Sequence, residues 1–192
     1  REAQILNDLQ TPYIVHLNDL FKEGNAYYLV EEFVDGLAVD KLLQKQTVLS
    51  PQVALLILQD ACFALSYAHS KNIVHRDIKP GNILISKRAE IKLTDFGIAS
   101  DNAGDDSLTQ SGVALGTPAY MPPEQFEDSA KVDCRADIYA LGIMLYEMIT
   151  GTKPYPGTLS IETLNIIKKG KYISPKKIDK EIPSFVCRLI KK

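Results

Sequence analysis

The sequence predicts an α+β fold, with short strands early in the chain and helices dominating the rest. Three observations carry this. Residues 13–20 and 26–32 are apolar and aromatic runs split by "KEGN", a strand, a Gly-Asn turn and an antiparallel second strand. Residues 51–70 repeat Ala54, Ile57, Leu58, Ala61, Leu65 and Ala68 at helical spacing. Residues 137–150, "DIYALGIMLYEMIT", are apolar on nearly all sides, which marks a helix buried at the centre of the fold.

The elements follow in order. Residues 1–9 read as a helix end, with Ile5, Leu6 and Leu9 on one side and Thr11-Pro12 stopping it. After "FVDG" a short helix is expected at about 37–45. Ser50-Pro51 opens the next helix, Ser as N-cap and Pro in the first turn. "NILIS" and "IKLTD" are two short strands joined by the charged turn "KRAE". Residues 98–115 carry little periodicity, and so long an irregular run in a domain is usually functional. Gly151 stands where a left-handed residue would end the buried helix. Weaker helices are expected near 160–169 and 183–191.

The 192 residues suffice for one domain with a sizeable core. A net charge of −2 excludes the basic excess that drives non-specific nucleic-acid binding, so no nucleic acid is expected as partner. No apolar run is expected to cross a bilayer, and "REAQILNDLQ" is too polar for a signal peptide. Cys62, Cys134 and Cys187 are dispersed and form no metal-binding pattern; Cys62 is expected in the core. A cytoplasmic location is the reading that follows. The chain starts in mid-helix without Met and stops in a helical pattern, which reads as a segment of a larger protein.

Chemistry concentrates in three stretches: "HRDIKPGN" (75–82), "DFG" (95–97) and "GTPAYMPPE" (116–124). A carboxylate, an ammonium and an amide stand within six positions at Asp77, Lys79 and Asn82, and Asp95 follows Asp77 by 18 residues across a two-strand unit. Phosphoryl transfer needs such a set: a base for the acceptor hydroxyl, cations for the phosphate charge and oxygen ligands for Mg²⁺.

On these motifs the chain resembles the eukaryotic-type protein serine/threonine kinases, most closely their bacterial members. The resemblance implies a protein-kinase-like fold. Residues 1–36 would be a partial small lobe, comprising the end of the Glu-bearing helix, two strands and the hinge. Residues 37–192 would be a large lobe truncated at its C-terminus, with the catalytic loop at 73–86 and the activation segment at 95–124. It further implies ATP and Mg²⁺ as cofactors and transfer to Ser or Thr hydroxyls of protein substrates. Asp77 would be the catalytic base, Lys79 would meet the γ-phosphate, and Asn82 and Asp95 would bind metal. Thr117 would bond near Asp77 and Lys79 and shape the acceptor pocket. Backbone groups of Glu32 and Val34 would meet the adenine edge. Leu84 would pack beneath the ring over Val39 or Met144, and Thr94 would face the back of the pocket. Leu6, Leu17, His75 and Phe96 match a column linking the lobes, and Asp137 would accept backbone bonds from the H-R-D turn. Gly97 would let the chain turn after the metal ligand. Thr109 and Ser111, with Ser107 nearby, are candidates for autophosphorylation opposite Arg76, in trans within a kinase dimer. Bacterial relatives often carry a membrane helix and sensor domain beyond the kinase domain.

Three departures from the family pattern stand out. The Gly-rich loop and the lysine-bearing strand are absent, although Glu2 matches that lysine's helix partner; little catalysis is expected of these residues alone. Glu31 occupies the gatekeeper position, where a carboxylate is costly unless paired or protonated. "PPE" replaces A-P-E, and the usual partner of Glu124 lies beyond residue 192. A pseudokinase or scaffold module is the alternative, with Glu31 alone in its favour. A small-molecule kinase is a third reading, opposed by "GTPAYMPPE".

Overall fold

A computed structural model describes residues 9–24, 26–96, 118–127, 132–157 and 160–191. Glu2, Leu6, Gly97, Ser107, Thr109, Ser111 and Thr117 lie outside the described residues.

Strands β1 (Leu17–Glu23) and β2 (Ala26–Glu31) form an antiparallel ribbon. β1 starts later than the apolar run predicts and continues into "KE", reaching the turn at Gly24, whose φ is +60°. The residues before it do a different job: Ile14 forms a parallel bridge with Leu93, through Val15 N–H to Leu93 O (2.9 Å) and Leu93 N–H to Tyr13 O (2.8 Å). β3 (Gly36–Ala38), β4 (Ile83–Ser86) and β5 (Ile91–Leu93) make a second antiparallel sheet in that order. β3 was not foreseen, because three residues carry too little periodicity. Gly36 is required there: a Cβ would sit 1.9 Å from the Ile85 carbonyl oxygen.

The helices are α1 (Val39–Gln46), α2 (Pro51–Ser70), α3 (Pro123–Glu127), α4 (Arg135–Thr150), α5 (Ile161–Lys168), α6 (Pro175–Ile178) and α7 (Ser184–Lys191). α2 begins as its sequence predicts, with Ser50 Oγ accepting from Val53 N–H at 3.3 Å. Its face of Ala54, Ile57, Ala61, Ala64, Leu65 and Ala68 is buried, and Leu58 is partly so. α4 is the most buried helix by sequence and in fact, with Met144, Leu145, Met148 and Ile149 almost fully enclosed. Gly151 ends it at φ +70°. The core therefore sits between α2, α4 and the β3–β4–β5 sheet, joined by Val186 of α7.

Two expectations are corrected. Cys62 is exposed: the helical phase that buries Ala61 and Leu65 turns it outward. Among the described residues α2 is long and apolar enough to cross a membrane by length and composition, contrary to the reading that no segment is; here its small-residue face packs into the core.

Candidate active site

The site is built on the turn from Ile73 to Asn82, which links α2 to β4 and rests on the N-terminal end of α4. Asp137, in the first turn of α4 and 1% exposed, organises it. Its carboxylate accepts from His75 N–H (2.9 Å) and Arg76 N–H (2.8 Å), as the family resemblance implies. A third contact, from His69 Nε2 at 2.7 Å, was not foreseen. Its signal was a His in the last turn of a helix, where a cation or donor is favoured, only a few residues before the loop. These bonds hold Arg76 at φ +67°, a left-handed conformation that a non-glycine residue adopts only when its surroundings demand it.

His75 is fully buried, and its ring is read from both sides. Asp77 N–H donates to Nδ1 (3.3 Å), so Nε2 carries the proton and donates to the Thr94 carbonyl (2.9 Å). Burial holds the imidazole below its ordinary range, against the pull of Asp137, so the ring is neutral. It packs against Phe96 at 4.5 Å between ring centres, the two rings tilted by 46°. Leu17 is buried as well; of the expected column only Leu6 is outside the described residues.

Asp77, Lys79 and Asn82 come together. Lys79 Nζ lies 2.6 Å from Asp77 Oδ2. The Asn82 amide donates twice, to the Asp77 carbonyl (2.8 Å) and to Oδ2 (3.0 Å). Two donations onto acceptors fix the NH₂ toward Asp77 and turn the amide oxygen away from it. A short 3₁₀ turn, Pro80–Asn82, sets this geometry: Asn82 N–H donates to Lys79 O (3.0 Å), and Asn82 O receives Thr94 N–H (3.0 Å). The second bond fastens the loop to the residue before Asp95. Asp95 is exposed and, like Arg76, left-handed, at φ +58°. An amide oxygen and a carboxylate are hard ligands suited to Mg²⁺ together with phosphate and water oxygens, so the residues present fit the cation.

The expected nucleotide-contacting residues flank this centre. Glu32 N–H is already bonded to His16 O (2.9 Å), which leaves the Glu32 carbonyl as its group for a ligand edge. The Glu32 side chain has its own task, which the sequence did not reveal. Its Oε1 accepts from His16 N–H (2.8 Å) and from Lys92 Nζ (2.7 Å), clasping the end of the ribbon to β5. Burial pushes the Glu32 carboxyl up, but the Lys92 and His16 contacts outweigh it and hold it below its ordinary value. Val34 and Leu84 are half-buried, Thr94 is buried, and Val39 and Met144 lie in the core. Burial raises the Glu31 carboxyl, the Asp95 charge adds to the rise, and a hydrogen bond with the Thr94 side chain opposes it. Glu31, exposed at the end of β2, thus feels the charge of Asp95, the expected metal ligand. Glu124 lies in the first turn of α3 and is exposed, and the Gln125 amide donates to Arg76 O (3.2 Å) from the same helix.

Comparison with known proteins gives a consistent answer. The protein kinase domain model matches residues 1–192. Serine/threonine-protein kinase PrkC of Bacillus subtilis is 37% identical over 192 residues, all of this chain and 29% of PrkC. Serine/threonine-protein kinase PknB of Mycobacterium leprae is 41% identical over 161 residues, 82% of this chain and 26% of PknB. PknB of Mycobacterium tuberculosis is 40% identical over 162 residues, with the same coverage. The chain spans between a quarter and a third of the length of these curated relatives.

Proposed function

Since this chain belongs to the protein kinase domain family, we propose that its protein transfers the γ-phosphoryl group of MgATP to Ser and Thr hydroxyls of proteins, with Asp77 as catalytic base. The single observation that carries the reading is the joint contact of Lys79 and Asn82 on Asp77 Oδ2 (2.6 and 3.0 Å), tied through Asn82 O to Thr94, the residue before Asp95.

MgATP, when bound, supplies the electrophilic phosphorus and the ADP leaving group. The chain's own residues do the rest. Both contacts on the Asp77 carboxylate fall on Oδ2, so Oδ1 is the oxygen that orients the acceptor hydroxyl and takes its proton as the new O–P bond forms. Lys79 stands beside that base and neutralises charge passing to the phosphoryl oxygens. Asn82, through its amide oxygen, and Asp95 hold the cation. The Glu32 carbonyl and Val34 meet the adenine edge, Leu84 lies beneath it, and Thr94 backs the pocket. Glu2, Thr117 and the hydroxyls of Thr109 and Ser111 complete this reading as lysine partner, acceptor-pocket residue and phosphorylation sites. Residues 1–36 act as part of the small lobe and 37–192 as the large lobe. The domain works in the cytoplasm, on protein substrates and on a second copy of itself.

The test is incubation of the full-length protein with γ-labelled ATP, Mg²⁺ and a general protein acceptor. Label on phosphoserine or phosphothreonine is expected. A protein that binds MgATP and transfers no label would be a scaffold of the same fold, and the proposal would fail.

A further inference from the structure

Beside the Asp77–Lys79 pair a cleft of about 450 Å³ opens between α1, the catalytic loop and the C-terminal end of α4. Its charged groups are Asp40, Lys79, Glu147 and Lys153. Lys79 is committed to Asp77. Asp40 lies on the α1 wall, 3.8 Å from the exposed ammonium of Lys41. Glu147 is only 17% exposed and accepts the Tyr120 hydroxyl. Lys153 Nζ stands 3.9 Å from Glu147 Oε1 and 5.0 Å from the centre of the Tyr120 ring, so one ammonium covers a carboxylate and an aromatic face together. The turn after α4 delivers it there. Gly151 sits at φ +70°, and a Cβ on it would come 3.0 Å from Val48 and 3.1 Å from Thr47, so the chain doubles back tightly over the helix end.

We propose that Lys153 is a built-in counter-charge that sets substrate choice: it bars Lys and Arg side chains from the Glu147 end of the cleft and reserves that subsite for neutral ones. The inference rests on the phosphotransfer reading and adds to it a class of acceptor sequence. The hydroxyl to be phosphorylated must reach Asp77. The cleft shares Lys79, Pro80 and Gly81 with the catalytic loop, so residues beside that hydroxyl pass along it. A substrate cation entering here meets the Lys153 ammonium and finds Glu147 already paired. Repulsion of this kind selects partners by exclusion. Take Lys153 away, and a half-buried carboxylate that needs a counter-charge faces the substrate.

The experiment uses the full-length protein and a positional peptide library around a fixed Ser/Thr acceptor. The wild type is expected to disfavour Lys and Arg at one position near the acceptor. Lys153→Met should raise incorporation into basic peptides at that position roughly fivefold, the worth of about one partly exposed ion pair. Lys153→Gln should act likewise, Lys153→Arg should keep the wild-type profile, and Lys153→Met with Glu147→Gln should lose the new basic preference. An unchanged profile in both neutral variants, with the wild type phosphorylating the library, overturns this inference and leaves the phosphotransfer reading standing. A wild type that phosphorylates no peptide and no protein overturns both.

Discussion

The turn from Ile73 to Asn82 and the β1–β2 ribbon are held in opposite ways. In the turn, polar groups close on one another: Asp137 takes three donors, Asn82 spends its NH₂ twice, and His75 is bonded through both ring nitrogens. The ribbon pairs its backbone but, beyond Leu17 and Leu20 of β1, leaves its side chains in water, with Tyr27 66% exposed and Phe21, Tyr28, Leu29 and Val30 also exposed. The turn is fixed by the core beneath it, through α4. The ribbon is fixed at its base, by the bridge of Ile14 to Leu93 and the clasp of Glu32 on Lys92. Precise positioning of chemical groups therefore comes from the α4 side, and the ribbon is tethered to it by a few contacts.

Substitutions can break that contrast. The largest loss is expected from Asp137→Ala, which strands the buried His75 N–H, the partly buried Arg76 N–H and His69: about 3–5 kcal/mol in chemical denaturation. Gly36→Ala strikes the seam between the two regions, where the added methyl meets the Ile85 carbonyl; about 1–3 kcal/mol should be lost. Lys92→Met removes the clasp and should cost about 0.5–1 kcal/mol at neutral pH, solvent screening being substantial at a partly exposed pair. Its pH dependence is the sharper readout. The Glu32 carboxyl is held below its unfolded value, so this stability is present above about 4.5 and is lost as pH falls through the folded value. The wild-type and Lys92→Met denaturation curves should converge below that range. Smallest is Tyr27→Ser on the ribbon, within about 0.5 kcal/mol by the same measurement. A ribbon change as costly as Asp137→Ala would erase the distinction.

The same contrast governs what could be read from sequence. α2 and α4 were legible because each carries its own signals: Ser50-Pro51 at one start, Gly151 at the other end, and apolar spacing between. Asp77, Lys79, Asn82 and Asp137 were legible because a compact motif places the first three and the head of the buried helix places the last. β3 and the four-residue α6 are too short to show a period. His69 on Asp137 and Lys92 on Glu32 join residues 68 and 60 positions apart, and pairing at that range leaves no local trace. Cys62 was misplaced because its composition argued for the core while its phase on α2 argued against it.

The central claim is that Asp77 acts as a base preassembled with Lys79 and Asn82. The most direct measurement is single-turnover phosphate transfer by the full-length protein and its Asp77→Asn variant, with MgATP affinity measured alongside. Transfer should fall roughly 10²–10⁴-fold while MgATP affinity stays within a few-fold. Undiminished transfer by Asp77→Asn would contradict the account.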